Sequence, residues 1–122
     1  MSISDRLDQI EARADAATEG PWEKRTVNGW EMVVSYSTDA MIQLVAEFRH
    51  KERDLNDAEF IAASRTDVPA LVAALRAVLD LHKPRNGHDD CGHCVDPADA
   101  HWGIPWPCPT VRAVQAALRE GS

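Results

Sequence analysis

Three cysteines and a histidine carry the chemistry legible in this chain: His88, Cys91, Cys94 and Cys108, spaced H-x2-C-x2-C-x13-C. Two thiolates two residues apart can grip one metal ion in a tight turn, and Gly92 between them permits the left-handed backbone such turns often need. Cys108 stands just before Pro109, which opens a helix in the sequence pattern. The amides and positive end of that helix lower the thiol pKa and suit the residue to bind metal. A closed Cys3His set leaves no coordination position for water, which is the arrangement of structural rather than catalytic zinc. The expectation is one zinc per chain, with His93 or His101 as substitutes for His88.

Two other readings compete for the same residues. The thiols can pack as small apolar groups, or Cys91 and Cys94 can act as a thiol-disulfide pair, since Cys91-Gly-His-Cys94 is identical to the active-site tetrapeptide of protein disulfide isomerases. The likeness ends with those four residues. Asp89 and Asp90 precede them, and negative neighbours raise a thiol pKa and oppose reactivity. An odd number of cysteines cannot all pair within the chain, and a reducing compartment keeps them available to a metal.

No nucleophile with its base, carboxylate pair or phosphate-cradling glycine loop is legible elsewhere, so the chain reads as non-enzymatic. Trp22 and Trp30 read as hairpin core, and Trp102 and Trp106 as cover for the cysteine loop. The mixed run from His50 to Asp54 reads as a solvated connection.

These residues need a scaffold, and 122 residues suffice for one domain of ordinary size. Hydrophobic residues at 44% and charged residues at 27% match a globular chain rather than a disordered one. The net charge of −7, spread along the chain, disfavours direct binding to nucleic acid. No apolar run reaches the roughly 20 residues of a membrane span, and the N-terminus lacks the regions of a signal peptide, which points to the cytoplasm.

Ile3, Leu7, Ile10, Ala14 and Ala17 recur at helical steps after a cap at Ser2 or Ser4, and Gly20-Pro21 ends that helix. Asn28-Gly29 joins two extended runs as a tight hairpin, with Trp30, Met32, Val34 and Tyr36 on one face. A third run places Ile42, Leu44, Ala46 and Phe48 on one side and Gln43 and Glu47 on the other. A short helix over Asp57 to Ser64 follows, then a longer one capped by Thr66, carrying Pro69 in its first turn and ending near His82. Lys83 to Pro109 has no periodicity and reads as a loop that needs something to order it. A last helix from Pro109 to Arg119 buries Val111, Val114 and Leu118.

The fold class is therefore α+β: a three-stranded antiparallel meander packed with three to four helices, then a zinc-ordered loop and C-terminal helix. Residues 1–83 form the core and 84–122 the zinc-binding part of the same unit.

Gly20-Pro-Trp22, Asn56-Asp-Ala-Glu-Phe-Ile-Ala-Ala-Ser-Arg65 and Trp106-Pro-Cys-Pro-Thr-Val-Arg112 carry a likeness over most of the chain. In these the chain resembles small uncharacterised proteins of actinobacteria and their phages, and more distantly the Ead-type accessory proteins of prophages. The resemblance implies a dispensable accessory product whose partner is a host or phage protein. It names no catalytic residue. A small-ligand protein that sequesters a nucleotide, with a pocket shared across a homodimer, is the alternative from another class.

Overall fold

The computed structural model describes residues 2–36, 42–48, 54–85, 87, 89–96 and 99–120. Its elements run α1 (Ile3–Ala16), β1 (Trp22–Val27), β2 (Trp30–Ser35), β3 (Gln43–Glu47), α2 (Asp54–Leu81), β4 (Asp90–Asp96), β5 (Asp99–Pro105) and α3 (Pro109–Glu120). The fold is α+β, with β1, β2 and β3 in an antiparallel meander and β4 and β5 in a separate two-stranded hairpin. Contacts divide the chain into one unit of residues 8–72 and another of residues 1–7 with 73–122. No helix among the described residues is long and apolar enough to cross a membrane.

In the unit of residues 8–72, the β1–β2 turn has φ of 52° at Asn28 and 81° at Gly29. Positive φ at both central residues is what a two-residue hairpin requires, and Asn-Gly tolerates it best. Val33, Ala58 and Ala62 form the buried centre, with Trp22, Val45, Ala46, Phe48 and Ile61 packed around them. The N-terminal half of α2 thus lies on one face of the meander.

A carbonyl at the end of α1 ties this unit together. Thr18 accepts from the Trp22 indole at 2.9 Å and from Arg65 Nε at 3.0 Å. A Cβ at Gly20 would stand 3.0 Å from Arg65 Cγ, so the glycine makes room for that arginine.

The meander corrects the expected faces. Val33 pairs with Ala46 but Val34 pairs with Leu44, so Val45 is an extra residue in β3. Such a bulge reverses the alternation beyond it. Ala46 and Phe48 reach the core while Ile42 and Leu44 stay 47% and 54% exposed. Trp30, expected in the core, is 41% exposed, and β2 buries Glu31, Val33 and Ser35 on one face while Val34, on the face of Trp30, is buried at 4%. The Glu31 carboxylate is partnered there, accepting from Thr26 Oγ1 at 3.0 Å with Lys24 Nζ 3.7 Å away. The Ser35 hydroxyl donates to the Glu19 carbonyl.

α2 is one helix of 28 residues, not two, with Thr66 helical and Pro69 in the interior. Pro69 cannot donate to the turn before it, a loss worth ~3 kcal/mol. Burial of Ala58 and Ala62 before it and of Val72 after it offsets that cost and keeps the segment helical.

In the other unit Ser2 caps α1 reciprocally: Asp5 N–H donates to its hydroxyl at 3.1 Å and its own N–H donates to the Asp5 carboxylate at 3.3 Å. The expected loop between α2 and α3 is largely the β4–β5 hairpin, too irregular in register to show a period of two in the sequence. Asp90 sits beside Gly103 there, and its carboxylate fills the space a Cβ would take. Arg85 holds that carboxylate through both Nε, at 3.0 Å, and Nη2.

Candidate metal centre

The last turn of α2 brings His82 to the start of the site, its N–H still bonded to the Val78 carbonyl at 3.1 Å. The chain then doubles back. Lys83 to Arg85 runs antiparallel to Asp90–Gly92, through Gly92 N–H to the Lys83 carbonyl at 2.9 Å and Arg85 N–H to the Asp90 carbonyl at 3.1 Å. This pairing seats Cys91 against Pro84, two residues from His82. Gly92 serves close approach and not left-handed geometry: a Cβ there would stand 3.3 Å from the Lys83 carbonyl and 3.2 Å from Arg85 Cγ. The left-handed glycines among the described residues are Gly29 and Gly87.

Cys108 occupies the N-cap of α3, where its carbonyl accepts the Arg112 N–H at 2.9 Å. Pro109 opens the helix without wasting a donor. Trp106 locks the two sides together, its indole N–H donating to the His82 carbonyl at 2.7 Å and its backbone N–H to the Asp89 carbonyl at 2.8 Å.

These elements converge His82 Nδ1 and the Sγ atoms of Cys91, Cys94 and Cys108, all within 4.8 Å of one another. Nδ1 lies 3.4 Å from Cys91, 3.3 Å from Cys94 and 3.4 Å from Cys108. Ligands at ~2.0 Å (nitrogen) and ~2.3 Å (sulfur) from a tetrahedral ion would stand about 3.5 Å apart, so the spacing fits one ion. All three cysteines are free thiols, with Cys91 and Cys108 at 2% and 0% exposure. Val111, Leu79 and Ile104 pack around them.

The thiols are unequal. Burial pushes Cys91 up, but the amides of His93 and Cys94 donate to its sulfur, and His82 and Cys108 add to the pull, leaving it at about 6. Burial and then the two neighbouring thiols push Cys94 up to about 11. A cation placed among them would relieve that repulsion and hold all three as thiolates.

Of the expected ligands, Cys91, Cys94 and Cys108 come together, and His88 lies outside the described residues. His82 supplies the fourth donor. In the sequence it reads as the end of the long helix, but it is also the last histidine before Pro84 turns the chain toward Cys-x-x-Cys, the signal that could have marked it. His93 is exposed and stands outside the donor group, its ring edge-on to His82 with centroids 5.0 Å apart. The side chains of His101 and Trp102 lie outside the described ones.

In comparisons with protein-family models, curated proteins and solved structures, nothing matches this chain.

Proposed function

We propose that the chain is a non-enzymatic, zinc-stabilised accessory protein of phage or prophage origin that acts by binding a host or phage protein. The observation that carries the binding role is the outer face of the meander. Val27, Trp30, Tyr36, Ile42 and Leu44 are 37% to 54% exposed. Cross-strand pairing sets Val27 beside Trp30 and Leu44 beside Val34, so they share that face, flanking Val34, which is itself 4% exposed. Such residues seldom stay exposed together on a protein that works alone, and Trp and Tyr are the side chains that dominate binding hot spots.

The metal centre supports a structural role for zinc. Four protein donors close a tetrahedron, which leaves no position for a substrate or an activated water. Thiolate-rich tetrahedral sites favour zinc over harder ions. The resemblance to actinophage and Ead-type proteins supports the accessory role.

The test is affinity capture from an actinobacterial host lysate with the wild-type chain and with Trp30→Ala/Leu44→Lys, whose positions are exposed enough to leave folding intact. One protein recovered by the wild type and lost by the double variant supports the proposal. Equal recovery by both contradicts it, as does a wild-type dimer in sedimentation that the double variant dissociates, because the face would then serve self-association.

A further inference from the structure

Over residues 54–72, α2 packs one side into the core of the meander and leaves the other bare. At helical periodicity Phe60 and Leu71 fall on the side opposite Ala58 and Ala62, which are buried in that core. Phe60 is 76% and Leu71 63% exposed, the highest values for large apolar side chains among the described residues. Ala63 and Ala70 are exposed beside them. The two large side chains stand about 20° apart around the helix axis and about 16 Å apart along it. Single exposed apolar residues are ordinary on a surface, whereas a stripe of them at helical spacing is how one helix docks on another.

The charge of the stripe says what covers it. Asp67 is exposed on the stripe itself, one turn before Leu71, and Asp57 and Glu59 are exposed on either side of Phe60. Arg65, the one cation of residues 54–72, is held on the far side of the helix by the Thr18 carbonyl at 3.0 Å. Covering Phe60 and Leu71 takes the Asp67 carboxylate out of water, which is costly unless the partner brings a cation to it. A second copy of this chain fails that requirement. Antiparallel pairing that sets Phe60 on Leu71 puts the twofold axis between Arg65 and Thr66, and the two Asp67 carboxylates then meet with no cation on the stripe. Parallel pairing sets them directly opposite each other.

We propose that this face of α2 docks a basic amphipathic helix, its apolar side chains on Phe60 and Leu71 and a lysine or arginine on Asp67. Further cations along its rim meet Asp57 and Glu59, and the net charge of −7 steers such a partner toward the chain. This side of α2 is distinct from the outer face of the meander, so either contact can fail while the other stands.

The probes are a synthetic amphipathic helix of leucine and lysine, about 16 residues long so as to span both anchors, and its counterpart with glutamate in place of lysine. Fluorescence anisotropy on the zinc-loaded full chain should show saturable binding of the lysine peptide, at least about tenfold tighter than the glutamate peptide. Amide resonances of residues 57–71 should shift. Phe60→Ser/Leu71→Ser, changed at exposed positions, should weaken the lysine peptide at least about tenfold while melting temperature and zinc content hold. Asp67→Asn should weaken it at least about threefold and leave the glutamate peptide bound no less tightly. Should the double variant fail to fold, Asp67→Asn and the selectivity between the peptides decide the matter. Equal binding of the two peptides, unchanged affinity in Asp67→Asn, or shifts confined to β1, β2 and β3 would overturn the proposal. So would a wild-type dimer in sedimentation that Phe60→Ser/Leu71→Ser dissociates, because α2 would then pair with a second copy.

Discussion

Replacing His82 by alanine isolates the donor that the structure adds to the cysteines. The imidazole Nδ1 lies 3.3 to 3.4 Å from all three Sγ atoms. The bond from Trp106 goes to the backbone carbonyl of His82, so the variant keeps it and loses only the ligand and its edge contact with His93. Structural zinc sites bind with ~12 kcal/mol at neutral pH, or about 3 kcal/mol for each of four ligands, and water recovers part of that. His82→Ala should therefore weaken zinc by roughly two orders of magnitude. His88→Ala should change affinity by less than about threefold. Competition with a chromophoric chelator at pH 7.5, run on both variants and the parent, reads these directly. Wild-type affinity in His82→Ala together with a large loss in His88→Ala would refute the reasoning and return the fourth ligand to His88.

Chelation should strip hydrogen-exchange protection from β4, β5 and the first turn of α3 while β1, β2 and β3 keep theirs, because the metal donors all lie in the unit of residues 73–122; uniform loss along the chain would place the metal in a common core. Gly103→Ala sets a Cβ onto the Asp90 carboxylate that Arg85 clamps, so the zinc-loaded protein should lose about 1–3 kcal/mol, and an unchanged melting temperature would show that the carboxylate moves aside freely. Zinc uptake should release protons and tighten as pH rises from 7 toward 9, since the Cys94 thiol, held up at about 11, is protonated without metal while Cys91, drawn to about 6, is already ionised; calorimetry in buffers of different ionisation enthalpy measures the release, and none at pH 7.5 would contradict these thiol assignments.

The parts of the fold legible in sequence are those fixed by short-range chemistry. Asn28-Gly29 forces its turn, Ser2, one of the two serines expected to do so, caps α1, and Pro109 starts α3. Cys-x-x-Cys and Cys108 announce a site because thiols so placed have few other uses. What escaped depends on contacts distant in sequence. The bulge at Val45 is a matter of register, and one extra residue exchanges the buried and exposed faces of β3. Pro69 and Thr66 look like a helix start, yet the apolar stripe on both sides carries α2 through them. His82 hides at the end of that helix until the turn at Pro84 is known. Gly20 and Trp22 meet Arg65, distant in the sequence, around the Thr18 carbonyl.

X-ray absorption at the zinc edge, on protein purified without a metal-affinity tag, tests the central claim most directly. The expected result is one zinc per chain, with three sulfur ligands at ~2.3 Å and one imidazole nitrogen at ~2.0 Å. Protein free of zinc, or zinc with a water-derived oxygen in place of the nitrogen or one of the sulfurs, would contradict it.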